Sequence, residues 1–574
     1  MKQSVELPTG VRTWQRTTRA PRWSLVFNAF LLAVVLYLAR SRQADSSRNS
    51  HREANKHPCR PPLPTLLVRN PPSVHHPALK QALLNLDTAL TTRFKEGGID
   101  SLSVAIVASN GSLYESFWGP LRANETDQDK RGTVDRHSIY RLASLSKVST
   151  TMETLILRDR GVLSLDEPIS RVFPRLVYNR DEGPITYRQL MSHMSGLGRD
   201  LPPGDASQAW PTSLGGGGPP PENGRPFPTL EDIFKAISAN QPVVPPYTYP
   251  VYSNTGFQLL GMANVAANRA FEGEDAPSTH AQLIHRDVFG PLGFNGTSFL
   301  TTDANKHHVA VASFYSHEVD QDFGDASNPS GGQMSSLSDL VKLMQVLIDP
   351  SRSESPVSPT SVREWMRPLH TWYDDFSEVG LVWEIESIRD AYGRKQEVFA
   401  KAGRLAGHHT RIIINPTSSY GVVLLTTGPT SQTFPLSTLI LEQVQEAFDA
   451  AIADATRNVL VGTWSSDGSR NNIAIEIDEG SLYVTKYTLN GTNVLAVIQG
   501  NDEAQRLPLW STREDEYRLA FPAALDGCLF SWAALDGYGY IDGVSVNSIR
   551  VKQHGNDVVL QFPAIDLEMR RVAF

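Results

Sequence analysis

The period of the apolar positions changes along the chain, and each change marks an element. From Pro77, Leu79, Leu83, Leu86, Leu90 and Phe94 recur at spacings of three and four, which predicts a helix with one buried face. Gly97-Gly98 ends it. Two β-rich runs follow, Leu102 to Ala108 and Leu113 to Trp118, with Asn110-Gly111 between them as a hairpin turn. Gly161 to Leu197 reads as helical and punctuated, and Leu259 to Arg269, Gln282 to Phe289 and Ser338 to Leu347 as helices. Strands are predicted at Leu381 to Ile385, Arg411 to Asn415 and Gly421 to Thr426, and a long helix carries Leu436, Ile440, Val444, Phe448 and Ile452. This succession predicts an α+β domain over 77–455, with an antiparallel sheet flanked by helices. Past Arg457-Asn458 the runs become short and alternating (Val461 to Trp464, Ile473 to Ile477, Leu482 to Val484, Asp557 to Phe562), which predicts an all-β domain over 456–574, sandwich or barrel.

Two segments break the pattern. Leu201 to Pro228, rich in Gly and Pro, is a poor candidate for regular structure and reads as an insert or a lid. Residues 41–76, polar and then proline-rich, read as an exposed linker. Before the linker, Ser24 to Ala39 is uncharged and almost wholly apolar, with Arg19 and Arg22 on one side and Arg40 and Arg42 on the other. Signal-anchor, cleaved signal peptide and buried core helix all fit. The run is short for a spanning helix, but Trp23 and the arginines extend it at an interface, and no small-x-small cleavage site follows. We take 23–40 as a signal-anchor that ties the protein to a membrane, with 1–22 as a cytosolic tail.

Composition adds little and excludes one class. The formal charge of −8 offers no general case for nucleic-acid binding. The two cysteines, Cys59 and Cys528, are too few for a cysteine zinc site. As a bridge they would suit an oxidising compartment. Sequons at Asn110, Asn124, Asn295 and Asn490 point the same way, to a lumenal or extracellular catalytic part, with secretion as the alternative. The pairs His307-His308 and His408-His409 lack a metal-binding Glu at helical spacing, so no metal is expected.

Candidate chemistry begins at Ser144-Leu145-Ser146-Lys147. Residues three apart share a helical face, so the Lys147 amine can reach the Ser144 hydroxyl and, if desolvated, take its proton. Alone, the tetrapeptide also fits a helix cap beside a solvated lysine. Tyr252-Ser253-Asn254 offers a phenol and an amide two residues apart on a loop, and Lys401-Ala402-Gly403 a cation and a glycine beside the late strands. His193 reads as a packed histidine and Ser195 as a turn residue.

The ordered set Ser-x-x-Lys, Tyr-x-Asn, Lys-x-Gly resembles the serine β-lactamase and penicillin-binding protein superfamily, especially its class C and esterase-like branch. Ile185 to Leu197, Gly290 to Phe294 and Pro329 to Ser336 are similar to the same branch, and the likeness covers about 77–450. With the β-rich tail, the chain is also similar to fungal secreted β-lactamase-like proteins, some of which accompany biosynthetic pathways. The resemblance implies a β-lactamase/transpeptidase-like fold with a helical subdomain and a small-molecule acyl substrate, with no cofactor. It implies Ser144 as acylated nucleophile, Lys147 as its base and Tyr252 as proton relay. Asn254 would orient the acyl group, Lys401 and Gly403 would line the substrate site, and the N–H groups of Ser144 and Arg404 would form the oxyanion hole. Where the family usually has Thr or Ser, this chain has Ala402, which removes a hydroxyl that binds substrate carboxylates. An ester, thioester or other acyl group is therefore the expected substrate. A β-lactamase-like scaffold used for binding is the alternative.

Overall fold

The structure, a computed structural model, describes residues 59–178, 183–466, 470–500, 505–513, 515–520, 528–533, 535–555 and 557–572. The expected tail and signal-anchor over 1–40 lie outside the described residues. Cys59 and Cys528 are joined by a disulfide.

Helix α1 (Pro77–Lys95) runs into the hairpin β1 (Ser101–Ala108) and β2 (Gly111–Trp118). A short strand β3 (Ile139–Arg141) leads into a 3-10 turn and α2 (Ser146–Asp159), followed much later by α3 (Asn254–Glu272) and by β4 (Met334–Ser336), which pairs with β3. The remaining strands are β5 (Pro368–Thr371), β6 (Ser377–Gly380), β7 (Glu384–Arg389), β8 (Lys395–Leu405), β9 (His408–Asn415) and β10 (Tyr420–Thr427), before the long α4 (Thr433–Val459). They form one antiparallel sheet in the order β2-β1-β10-β9-β8-β7-β6-β5.

Both faces of the sheet centre are covered, which explains why β1, β9 and β10 read as unbroken buried runs. Alternate residues part to opposite sides. Val104, Ile106, Val422 and Leu424 pack under α1 and α4 with Leu86, Leu90, Ile440 and Phe448. Ala105, Val107, Val423 and Leu425 face the helical subdomain with Val148, Met152 and Leu155 of α2. Three expectations change here. The linker is not wholly exposed: Leu63 and Leu67 are buried in the core beneath α4, in a segment that Pro61, Pro62, Pro64, Pro71 and Pro72 stiffen, so that it gives up less entropy on docking. The strand expected at Leu381 to Ile385 begins only at Glu384. Val382 takes a positive φ of 68° in a turn closed by Gly380 N–H to Trp383 O (3.0 Å), and buried Trp383 packs on Trp365. Among the described residues of 161–197, most are irregular, with helix at Tyr187–Met191 and a 3-10 turn at Ile169–Arg171. Residues 201–228 contain neither helix nor strand.

The C-terminal domain is a barrel. Gly462–Ser465, Asn472–Asp478, Ser481–Leu489, Leu507–Ser511, Glu516–Leu519, Ser548–His554, Asp557–Phe562 and Leu567–Arg571 pair antiparallel in a ring, closed by the Asn472–Asp478 pairing with Ser481–Leu489. Its Trp464, Ile473 and Tyr487 share the core that lies under α1 and α4.

Helix α2 is buried on every side from Ser146 to Leu157, so its polar side chains must find partners inside. Thr150 Oγ1 donates to Pro329 O (2.8 Å), and Asn264 Nδ2 donates to Thr154 Oγ1 (2.9 Å). Thr151 Oγ1 and both carboxyl oxygens of Glu153 are exceptions, and Glu153 is the ionisable one, fully buried. Burial, reinforced by the charge of Asp287, pushes its carboxyl well above the usual range. A folded-state value above the unfolded one contributes stability at low pH, lost as pH rises through the folded value. Glu153→Gln is therefore expected to raise the thermal midpoint at pH about 8. That gain should vanish below the unfolded value near 4.5, as read by scanning calorimetry at both pH values.

Candidate active site

The turn that carries Ser144 is held from three directions. Ala143 adopts a positive φ of 51°, uncommon for a residue with a Cβ, and Ser144 sits in the 3-10 turn Ala143–Leu145 just ahead of α2. Leu142 N–H donates to Gln333 O (2.8 Å), and the Leu142 carbonyl accepts from Thr410 Oγ1 of β9 (2.9 Å). Ser146 Oγ donates to Ala143 O (2.7 Å) and accepts from Gln333 N–H (3.0 Å). Gly403 completes the clamp. A Cβ there would collide with the Leu142 carbonyl and the Thr410 hydroxyl. The glycine of Lys-x-Gly thus admits the chain's own backbone, where the sequence suggested room for substrate.

Lys147 is fully buried, and its Nζ lies 3.0 Å from Ser144 Oγ. It also donates to Asn254 Oδ1 (2.8 Å) and to Ser330 O (2.5 Å). The Asn254 amide cannot be flipped, because its Nδ2 donates to Asp200 Oδ1 (2.8 Å), an acceptor only. Two of the three Lys147 contacts are therefore pure acceptors. When the amine is neutral its two N–H bonds go to them, and its lone pair is left facing the Ser144 hydroxyl. Burial pulls the Lys147 ammonium down to about 8, with Tyr252 opposing the fall and Lys401 reinforcing it. At pH 7 that makes the neutral amine about 300-fold more abundant than on an ordinary lysine of value 10.5.

Tyr252 lies on the loop before α3, where Ser253 caps the helix by accepting from Gly256 N–H (2.9 Å). Its ring has Lys147 Nζ at 5.1 Å and Lys401 Nζ at 5.2 Å from the centroid, and the phenol interacts with the Ser144 hydroxyl. Burial raises this phenol, but the two ammonium groups outweigh it and the net displacement is downward. Neutral His193, its Nδ1 accepting from Ser253 N–H (3.1 Å), stacks on the ring at 4.5 Å and fixes its plane. Ser195 serves a turn, accepting from Leu197 N–H (3.4 Å).

Lys401, 1 % exposed, is paired with Glu384 (2.5 Å) and donates to Ala402 O (2.9 Å). Burial lowers this ammonium, but Glu384 and Tyr252 reverse that, and the net displacement is upward. Strand β7 ends at Glu384, opposite Ala400, so β8 from Lys401 onward is an open edge toward the nucleophile. On that edge Ala402 N–H points to Glu384 Oε2 (3.0 Å), and Arg404, two residues on, points its N–H the same way. The Ser144 N–H, at the start of its turn, has no intrahelical acceptor.

The site therefore unites Ser144, Lys147, Tyr252, Asn254, Lys401 and Gly403, with the Arg404 backbone on the same edge and its side chain exposed. Asn254 touches Lys147 and Asp200, so its amide holds the Lys147 amine in place. Sequence reasoning missed Asp200, Glu384 and the Ser330 carbonyl, although Ser330 lies in a stretch whose family likeness was legible. The four sequon asparagines are exposed.

A buried lysine one turn from a serine that follows a left-handed alanine, a phenol between two ammonium groups and a free sheet edge define a chain of the serine β-lactamase and penicillin-binding protein superfamily. It belongs to the Beta-lactamase family, whose pattern matches residues 86–445. Beta-lactamase-like protein str6 of Strobilurus tenacellus is 38 % identical over 287 residues, covering 48 % of this chain and 94 % of that protein. Beta-lactamase-like protein str5 of the same fungus is 47 % identical over 225 residues, covering 37 % of this chain and 81 % of its own. Among solved structures, the octameric penicillin-binding protein homologue from Pyrococcus abyssi superposes with a TM-score of 0.51 at 19 % identity, over 84 % of this chain and 99 % of that one, a likeness of fold.

Proposed function

We propose that the chain is a serine hydrolase or acyltransferase that works through an acyl-enzyme on Ser144. One observation carries the reading: Lys147 Nζ lies 3.0 Å from Ser144 Oγ, while two contacts that only accept, Asn254 Oδ1 and Ser330 O, can take the N–H bonds of the neutral amine. Neutral Lys147 takes the Ser144 proton as Oγ bonds to the acyl carbon. The N–H groups of Ser144 and Arg404 bind the resulting oxyanion. As the tetrahedral adduct collapses, the proton passes from Lys147 through Tyr252 to the leaving alkoxide or amine. Water or an alcohol then attacks the acyl-enzyme, giving its proton back through Tyr252, and Ser144 is released.

The substrate is a neutral ester or amide. Ala402 offers no hydroxyl, and the Lys401 ammonium is already paired with Glu384, so a substrate carboxylate meets neither of the partners that the Lys-x-Gly motif would otherwise offer. A secondary-metabolite pathway belongs to the same reading and rests on the resemblance to fungal β-lactamase-like proteins. So does a catalytic part held on the lumenal or extracellular side by the 23–40 anchor, supported by the apolar run, the exposed sequons and the disulfide.

An active-site-directed fluorophosphonate should add covalent mass to the Ser144 peptide and leave Ser144→Ala unmodified. Short-chain p-nitrophenyl esters should turn over while nitrocefin is barely cleaved. An unlabelled Ser144 would favour a binding scaffold, and efficient nitrocefin cleavage would refute the neutral substrate.

A further inference from the structure

The C-terminal barrel has a second site, unconnected with Ser144. A closed ring of eight strands is about wide enough either to be filled by side chains or to hold one small ligand. Here the interior is packed by residues such as Trp464, Ile473 and Leu560, but the packing stops short of one end. A cavity of about 350 Å³ opens at one end, walled by residues that include Leu489, Leu519 and Phe562 and roofed by Val494 and Ile498 of the short helix Val494–Gln499. Its rim is apolar and in water: Val497 is 69 % exposed, Ile565 45 % and Ile541 43 %. Such residues on a soluble domain are covered when a ligand threads between them.

Among the described residues three polar side chains line the space, Asn547, Tyr538 and Tyr487, and Tyr538 has a partner of its own. Asn547 is satisfied by the protein, donating to Leu519 O (2.8 Å) and accepting from Ser545 Oγ (2.6 Å). Tyr487 is different. Only 3 % exposed and stacked on Phe562 at 5.6 Å, it lines the cavity with a hydroxyl that has no hydrogen-bond partner among the described residues. No charged side chain lines the space among the described residues, so an ionised ligand would shed its hydration with no counter-charge to meet it. We propose that the barrel binds a neutral, largely apolar small molecule, of the size of a medium-chain ester, with its one hydrogen-bond acceptor on the Tyr487 hydroxyl.

The full chain is titrated with Nile red, a neutral fluorescent probe, and the dye is then competed with methyl laurate or with laurate. One dye should bind per chain, and methyl laurate should displace it at concentrations at least about tenfold below those of laurate. Ala564→Trp at the rim and Val497→Arg on the exposed roof are two independent blocking variants, so misfolding of one, seen by circular dichroism, leaves the other. Each should weaken dye binding at least about tenfold while turnover of p-nitrophenyl acetate is unchanged. Ser144→Ala should bind as the parent does. Tyr487→Phe should weaken methyl laurate about 2- to 12-fold, the loss of one hydrogen bond. Absence of dye binding, binding that survives both blocking variants, or laurate competing as well as its ester would overturn the assignment. So would self-association of the chain through the same rim in place of ligand uptake.

Discussion

Lys147→Met is expected to cut kcat/KM for a p-nitrophenyl ester by about 10⁴-fold, at the upper end of what a general base supplies. Methionine nearly matches the lysine stem in volume, so α2 stays packed between the sheet and α3. Two acceptors, Asn254 Oδ1 and Ser330 O, lose their donor, at a cost of about 1–3 kcal/mol each in folding stability. The rate loss should exceed anything that loss of stability explains, and it should fall on kcat, with KM changed little. Arginine should not rescue the rate, because a guanidinium never offers a lone pair at neutral pH. Steady-state kinetics on folded protein, with fluorophosphonate inactivation rates alongside, would show it. A residual rate within tenfold of the parent would mean that another group takes the Ser144 proton.

Gly403→Ala should also be damaging, for a different reason. A single methyl there meets the Leu142 carbonyl and the Thr410 hydroxyl, the two groups that bolt the nucleophile turn to β9. Ala143, already at positive φ, leaves the turn little freedom to retreat. Overpacking of this kind costs about 1–3 kcal/mol, so the denaturation midpoint should fall. The displaced turn carries Ser144, and a shift near 1 Å costs about 10²-fold in rate. Unlike Lys147→Met, this variant should lose fluorophosphonate reactivity and stability together. Unchanged stability with a raised KM would instead assign the glycine to substrate approach, as its motif alone suggested.

What could be read beforehand was local. Ser144 and Lys147 are one helical turn apart, so their meeting needs only α2 to form. Tyr252 and Lys401 were legible through ordered motifs. Asn254 was legible in the same way, but not that it and Ser330 would hold the Lys147 amine, since they reach it from 107 and 183 residues further along. Glu384 had no motif around it. It matters because the turn at Val382 ends β7 there and frees the β8 edge, a consequence of Trp383 burial that strand propensity does not encode. The tail read correctly as all-β. Its closure into a barrel depends on the register between Asn472–Asp478 and Ser481–Leu489, which alternation leaves open.

The most direct test of the account is the pH dependence of fluorophosphonate inactivation, which reports the free enzyme's base without any product-release step. If a desolvated Lys147 deprotonates Ser144, the rate should climb with pH and level off above an apparent value of about 8. A rate that keeps climbing toward the ordinary lysine value of 10.5, or one insensitive to pH, would contradict it.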